Sequence, residues 1–360
     1  MFNDFLFKRT DNSPLIIFRI FLGILISLEC YGAILTGWVR RTLIEPEFTF
    51  SFIGFEWLQP LPGYGMYVYF FLMGTLGILI ALGFKYRFSI ISFTLLWTAV
   101  YLMQKTSYNN HYYLLMLISL LMCFFPANQA YSLDARARPQ IRNNSMYNYI
   151  KWIIVLQLFI VYTYAALAKL YADWLDFSFV QILMQSKAHY WLIGDLLQQS
   201  WLHTLISVMG ILFDLLIVPA LLWKPSRKAA FGFAIFFHLF NSIVFQIGIF
   251  PYLALAFTVF FFEPETIRLL FFKKKPAHKS SKTIIPACKN LIIAGFGIYF
   301  LVQLILPVRH YFIKDDVLWT EEGHRLSWRM MLRSRSGIIN FKVVNNDDGS
   351  IINVNLNDHL

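Results

Sequence analysis

The stretch Gln157 to Leu175, QLFIVYTYAALAKLYADWL, is largely apolar for several turns before its first charged residue, Lys169. An ionisable group at the end of an apolar span is costly unless it reaches the membrane boundary, pairs with another group or has a chemical role. Two interpretations of Lys169 follow. Either its ammonium snorkels to the boundary, or its neutral amine serves as a base near neutral pH.

The composition is that of a membrane protein. Hydrophobic residues make up 58% of the 360 and charged residues 14%, whereas soluble domains average about 45–50% and about 25%. The 18% aromatic content exceeds the needs of interfacial belts, and it indicates either pockets for a flat apolar ligand or extensive helix packing. Cys30, Cys123 and Cys288 lack metal spacing, so neither a metal site nor a disulfide framework is predicted.

Apolar runs long enough to cross about 30 Å of hydrocarbon predict an all-α multi-pass protein with about nine transmembrane helices. The predicted spans are 15–37, 65–83, 87–104, 111–126, 148–168, 201–223, 229–247, 249–270 and 287–307. No cleavage site follows the first run, which is interpreted as an uncleaved span. The segment 38–64 is predicted to be an interfacial loop and 176–200 a partly amphipathic connection.

Charge patterning predicts the orientation. The net charge is +11, but the basic residues lie in short loops rather than on a soluble face, which argues against a nucleic-acid partner. With the N-terminus in the cytoplasm, most loop lysines and arginines fall inside, and the outside loops carry only Arg40, Arg41, Lys105, Lys169 and Lys187. Lys169, the loop before His111 and the C-terminal tail are therefore predicted to be extracytoplasmic.

The predicted domains are a transmembrane domain, 1–307, and a short extracytoplasmic C-terminal segment, 308–360. Within the tail, FKVVNNDDGSIINVNL predicts two short strands joined by a turn at Asn346, Asp347, Asp348 and Gly349. Such a lone hairpin is marginally stable, so it is expected to rest on another surface.

Several polar residues interrupt the spans. Glu29 lies midway along the first span and needs a partner; Arg19 is about 15 Å away along the helix axis, so a different partner is expected. Asn110 is predicted to cap the fourth span, and His111 then lies in its first turn, where the helix dipole favours a neutral ring. A purely capping and interfacial role for both is the alternative.

Two further groups are candidates. His238 and Asn241 share one helical face, either as a binding pair or as a bridge between helices. Trp328, Met330 and Met331 offer soft apolar surface beside a basic run, or simply packing. All these candidates except Glu29 fall on the same predicted side of the membrane, which supports one site.

Taken in order, five segments of the chain resemble the vitamin K-dependent γ-glutamyl carboxylase family, which includes an HTTM-type membrane domain. The segments are LQPLPGYG at 58–65, KTSYNNHYYL at 105–114, FIVYTYAALAKLYADWL at 159–175, FHLFNSIVFQIGIFPYL at 237–253, and LPVRHYF with LSWRMMLRSRS between 306 and 336. The similarity covers nearly the whole chain, and the occurrence of all five segments in order makes the resemblance specific.

The resemblance implies an integral membrane enzyme of the carbon–carbon lyase class. Such an enzyme uses O2 to convert a reduced naphthoquinone, phylloquinone or menaquinone, to its 2,3-epoxide. It couples this to γ-proton removal and CO2 addition at a glutamate of a protein or peptide partner. By position, Lys169 is the base for the hydroquinone and His111, with Asn110, assists. The implied quinone-pocket residues are His238, Asn241, Phe250, Met330, Met331, Tyr162 and Trp328.

Two departures from the family are visible. Animal members carry two adjacent lysines where this chain has Ala168 and Lys169, and their long exterior region is here the 53 residues after Pro307. Recognition of the protein substrate is the function that the shorter tail puts in doubt. The favoured hypothesis is a compact enzyme in a bacterial cytoplasmic membrane. The alternative is a non-catalytic quinone- or lipid-binding membrane protein of the same fold, although the presence of both His111 and Lys169 favours the enzyme.

Overall fold

The computed structural model describes residues 2–278, 283, 285–329 and 340–354. The chain forms two compact units, Met1–Met330 and Met331–Leu360. The described residues form these helices, in chain order: α1 Phe2–Phe7, α2 Ser13–Leu35, α3 Gly65–Leu82, α4 Tyr86–Met103, α5 Asn110–Phe124, α6 Leu133–Ala137, α7 Asn148–Leu167, α8 Ala172–Leu175, α9 Ser178–Gln185, α10 Gly194–Leu197, α11 Ser200–Leu222, α12 Arg227–Phe240, α13 Phe250–Phe257, α14 Pro264–Phe271, α15 Lys289–Val308 and α16 Val317–Thr320.

The architecture confirms an all-α multi-pass membrane protein. Within the described ranges, seven helices are long and apolar enough to span a membrane: α2, α3, α4, α7, α11, α12 with the π-helical turn that extends it to Phe245, and α15. Their bounds agree with the predicted spans to within about two residues because the length of an apolar run is a local property of sequence. The chain is an integral membrane protein.

The remaining two predicted spans are shorter than expected. The fourth is α5, whose 15 residues extend about 22 Å, less than the hydrocarbon thickness of about 30 Å. The predicted span 249–270 is not one helix. It comprises α13 with a 3₁₀ turn ending at Phe260, and then α14. Glu263 is extended between them because Pro264, in the first turn of α14, disfavours helical backbone in the residue before it.

Small residues allow α2 and α3 to pack closely. A Cβ atom added to Gly23 would lie 2.4 Å from the backbone nitrogen of Ala81, and one added to Gly77 would lie 2.5 Å from Ser27 Oγ. The Ser27 hydroxyl donates a hydrogen bond to the Gly74 carbonyl at 2.9 Å. This combination of small side chains and an interhelical hydroxyl bond is typical of helix pairs in membranes.

The two charged residues of α2 have separate partners. Arg19 is fully buried, and its guanidinium donates to the carbonyls of Ala127 at 2.8 Å and Tyr131 at 2.6 Å. Glu29 accepts a hydrogen bond from the Tyr112 hydroxyl of α5 at 2.6 Å. The prediction that Glu29 pairs with a residue other than Arg19 is confirmed.

In the described part of the chain, two small antiparallel sheets accompany the helices. Strand β1, Arg9–Asp11, pairs with β2, Ser145–Tyr147. Next to it, the buried Lys275 ammonium lies 2.7 Å from Asp11 Oδ1, which fastens the segment after α14 to β1. In the smaller unit, β3, Phe341–Val344, pairs with β4, Ile351–Val354. The predicted C-terminal hairpin is therefore confirmed.

Candidate active site

Lys169 lies just after α7 and pairs with Asp214 of α11. The two residues are 6% and 7% exposed, and Lys169 Nζ contacts Asp214 Oδ2. The ammonium also donates to the carbonyl of Ala165 at 3.4 Å. Lys169 is thus buried and paired within the protein, so the snorkelling interpretation is wrong.

Close packing of α7, α8 and α11 encloses the ammonium. Lys169 Nζ lies 5.5 Å from the ring centroid of Trp174, within cation–π range. Trp174 Nε1 donates to the Ser207 carbonyl at 3.1 Å, which fixes the indole. A Cβ atom added to Gly210 would lie 3.3 Å from Trp174 Cζ2 and 4.0 Å from Lys169 Cε. Gly210 therefore leaves the space in which these side chains lie beside α11.

A second buried polar pair lies two turns back along α7. The Tyr162 hydroxyl and His238 Nε2 of α12 are 3.1 Å apart. The other ring nitrogen of His238, Nδ1, is buried and has no hydrogen-bond partner among the described residues. Since buried polar atoms are nearly always hydrogen-bonded, this nitrogen indicates a place for a ligand or a water molecule.

Aromatic rings connect these pairs to His111. The His238 ring packs edge-on against Phe213, with centroids 5.5 Å apart, and against Phe250 at 5.9 Å. The His111 ring lies 6.3 Å from the Phe250 ring. Phe213 immediately precedes Asp214, the partner of Lys169. The structure therefore brings Tyr162, His238, Phe250 and His111 together, and the Lys169–Asp214 pair follows directly after Phe213 of this cluster.

Asn110 differs from its prediction. The N-cap of α5 is Asn109, whose side chain accepts from the backbone N–H of Tyr112 at 2.8 Å, and Asn110 is the first helical residue. The prediction that Asn110 caps the helix is wrong because the preceding asparagine has the extended backbone that a cap requires.

The Asn110 amide instead fastens the segment after α16. Its Nδ2 donates to the Arg329 carbonyl at 2.6 Å, and its Oδ1 accepts from the Tyr108 hydroxyl at 2.8 Å. Burial raises the pKa of the Tyr108 phenol, so the hydroxyl stays protonated and donates. The same hydroxyl accepts from the Leu326 N–H at 2.8 Å. These bonds hold the 326–329 segment against the start of α5, beside His111.

The other predicted pocket residues lie in different parts of the structure. Asn241 is buried at the start of the π-helical turn that follows α12. Trp328 is 2% exposed and packs on Tyr113 of α5, with ring centroids 4.8 Å apart. This ring contact places Trp328 against α5. Met330 and Met331 lie outside the described residues.

Sequence reasoning missed Asp214. It is the only acidic residue of α11, and an acid inside an apolar span is by itself a signal of a paired or functional group. Its partner lies 45 residues away in sequence, so only the tertiary fold identifies the pair. Among the described residues, no group of three or more His, Cys, Asp or Glu could hold a metal ion.

Comparisons with known proteins identify two family models along the chain. The sequence model of the HTTM domain matches residues 7–265, which include α2 to α13 and all of the site side chains up to Phe250. The model of the vitamin K-dependent gamma-carboxylase lumenal domain matches residues 288–360. No solved structure matches the chain. Since both models match this one chain, the protein belongs to the vitamin K-dependent gamma-carboxylase family.

Proposed function

We propose that this protein is a γ-glutamyl carboxylase with coupled naphthoquinone epoxidation. In this proposal Lys169 removes a hydroxyl proton from the reduced quinone, and His111 assists at the same centre with its position set through Asn110. The observation that carries the proposal is the run of ring contacts from His111 through Phe250 and His238 to Phe213, the residue next in the chain to Asp214, which pairs with Lys169. Family membership supports the same activity.

The residues present fit a flat, weakly polar ligand. Aromatic rings of Phe213 and Phe250 flank His238, and such rings pack well on a naphthoquinone. The unpartnered His238 Nδ1 can hydrogen-bond to a ligand oxygen. When bound, a reduced naphthoquinone supplies the oxygen-dependent chemistry that makes a base strong enough to act beside a carboxylate. Phylloquinone or menaquinone, O2 and CO2 are the proposed reactants, and a glutamate-containing protein or peptide is the proposed partner.

The roles of the protein's own residues follow from burial. A lysine amine is too weak to remove a hydrogen from carbon beside a carboxylate, but it can accept the proton of a more acidic hydroquinone hydroxyl. The site encloses Lys169 between Trp174, Gly210 and Asp214. Excluding water in this way protects reactive species from being quenched.

Quinone binding gives the first test. Replacing His238 by leucine removes the unpartnered ring nitrogen, and a lost hydrogen bond of about 0.5–1.5 kcal/mol corresponds to about a twofold to twelvefold rise in Kd. Binding of reduced menadione is measured by quenching of tryptophan fluorescence in the purified protein. His203→Leu is the matched control, because His203 is also buried but bonds to the Leu197 carbonyl, away from these rings. An equal rise in Kd for both variants would contradict the assignment of His238.

We propose that Lys169 and the C-terminal segment face the extracytoplasmic side, in line with the distribution of loop lysines and arginines. The test uses a protein in which Cys30, Cys123 and Cys288 are replaced by serine. A cysteine at Ser186 is expected to react with an impermeant thiol reagent from outside, and a cysteine at Arg138 is expected to react only after the membrane is opened. Both positions are exposed. The opposite pattern would overturn the orientation.

One observation favours a second function. The Lys169 ammonium is already neutralised by Asp214, as in ion pairs with a structural role. A non-catalytic quinone- or lipid-binding protein of the same fold would show this pairing too. Such a protein would bind reduced menadione but would form no epoxide from reduced vitamin K.

A further inference from the structure

We propose that Asp214 is the proton acceptor of the site and that Lys169 relays the proton to it. This inference rests on the proposed function, since it concerns how a hydroxyl proton leaves the reduced naphthoquinone. It assigns a positioning and proton-holding role to a residue that would act through the lysine.

The contacts of Lys169 suit a relay. An ammonium has three N–H donors. Among the described residues, Asp214 Oδ2 and the Ala165 carbonyl take two of them, so one is left to face a ligand. Asp214 and the ligand can therefore occupy different positions around one nitrogen. The buried indole of Trp174 limits how far the ammonium can move away from the carboxylate.

Charge balance gives the physical reason for the relay. A lysine that stays paired with Asp214 is a cation and has no lone pair with which to accept a proton. If Lys169 gives one proton to Asp214 and takes one from a ligand hydroxyl, one N–H bond breaks and another forms. The ligand O–H bond breaks, an O–H bond forms on Asp214, and the electron pair of the broken bond stays on the ligand oxygen. The negative charge moves from Asp214 to the ligand, and Lys169 remains the cation beside it.

This step keeps the number of buried charges constant. Proton transfer to a neutral lysine would instead create two new ions in a water-poor site, and desolvation makes isolated ions costly there. The existing Lys169–Asp214 pair is converted into a pair between Lys169 and the ligand. The carboxylate thus holds the proton while the ammonium stabilises the anion that forms.

The direct test is an infrared difference spectrum of the purified protein with and without reduced menadione, with oxygen excluded. Ligand binding is expected to produce the carbonyl stretch of a protonated carboxylic acid. Asp214→Asn should remove this band, and Asp214→Glu should restore a shifted one. The matched control is Glu29→Gln, which removes another buried carboxyl, bonded to Tyr112 rather than to Lys169, and should leave the band in place.

Turnover gives a second readout. Asp214→Asn is expected to lower the kcat for epoxide formation by about 10²-fold or more, while the KM for the reduced quinone changes by less than about threefold, and Asp214→Glu should recover part of the loss. Wild-type kcat in Asp214→Asn would overturn the relay, because Lys169 alone would then suffice.

The infrared outcomes separate this inference from the proposed function. Reduced menadione that binds without producing the band, or a band that survives in Asp214→Asn, would overturn the relay and leave quinone chemistry intact. If reduced menadione does not bind to the folded protein, both the relay and the proposed function are wrong.

Discussion

Lys169→Ala is expected to lower epoxide formation from reduced vitamin K by about 10²–10⁴-fold, the usual contribution of a general base. Carboxylation should fall with it, because no oxygenated quinone would form to drive γ-proton removal. The physical reason is that the variant loses both the group that accepts the hydroxyl proton and the buried cation beside the resulting anion. Epoxide and incorporation of labelled CO2 into a glutamate peptide would be measured in parallel on the purified protein.

Lys187→Ala is the control for this variant. Lys187 lies in the connection between α9 and α10, where its ammonium is 5.6 Å from the Tyr190 ring, and it has no part in the site. Its replacement should leave both products unchanged. An epoxide yield near that of the wild type in Lys169→Ala would show that another group initiates the reaction.

Asp214→Ala is expected to destabilise the protein by about 3–5 kcal/mol, because it leaves the buried Lys169 ammonium without its counter-ion. Replacing both residues with apolar ones, Lys169→Met together with Asp214→Leu, should recover much of that loss, since buried ion pairs are often equalled by well-packed hydrophobic side chains. The measurement is the free energy of unfolding in detergent, followed by tryptophan fluorescence, for the wild type, for Asp214→Ala and for the double variant.

An exposed ion pair provides the comparison. Arg40 and Glu45 are 2.7 Å apart, but their side chains are 66% and 47% exposed, so Arg40→Ala should cost less than about 1 kcal/mol. Two results would contradict this account of the buried pair. Asp214→Ala could lower the free energy of unfolding no more than Arg40→Ala does, or the double variant could be no more stable than Asp214→Ala.

The extent to which the sequence predicts this fold differs between local and tertiary features. The seven long helices follow from apolar runs and short polar loops, which are local signals. The break between α13 and α14 was missed because the apolar run continues to Phe262, beyond the end of the 3₁₀ turn at Phe260, and the restriction that Pro264 places on Glu263 is a single-residue signal. The hairpin at 341–354 was predicted because its turn residues and its two short strands are adjacent in sequence.

In the candidate site, too, local features were predicted from the sequence and tertiary contacts were not. Lys169, His111 and His238 were identified from their residue types, their positions at span ends and the family resemblance. The Lys169–Asp214 pair depends on how α7 packs against α11, which no local pattern encodes. Two adjacent asparagines likewise leave the cap of α5 ambiguous, and the contacts of Asn110 with Tyr108 and Arg329 separate its role from that of Asn109.

The central claim is that this protein couples quinone epoxidation to glutamate carboxylation. Its most direct test incubates the purified protein with reduced vitamin K, O2, labelled bicarbonate and a short glutamate peptide, and measures the 2,3-epoxide and labelled peptide together. The account predicts both products, with label at the γ-carbon of glutamate. Epoxide without label would point to lost substrate recognition and contradict the carboxylase assignment. Absence of both products from a folded protein that still binds reduced menadione would establish the non-catalytic function instead.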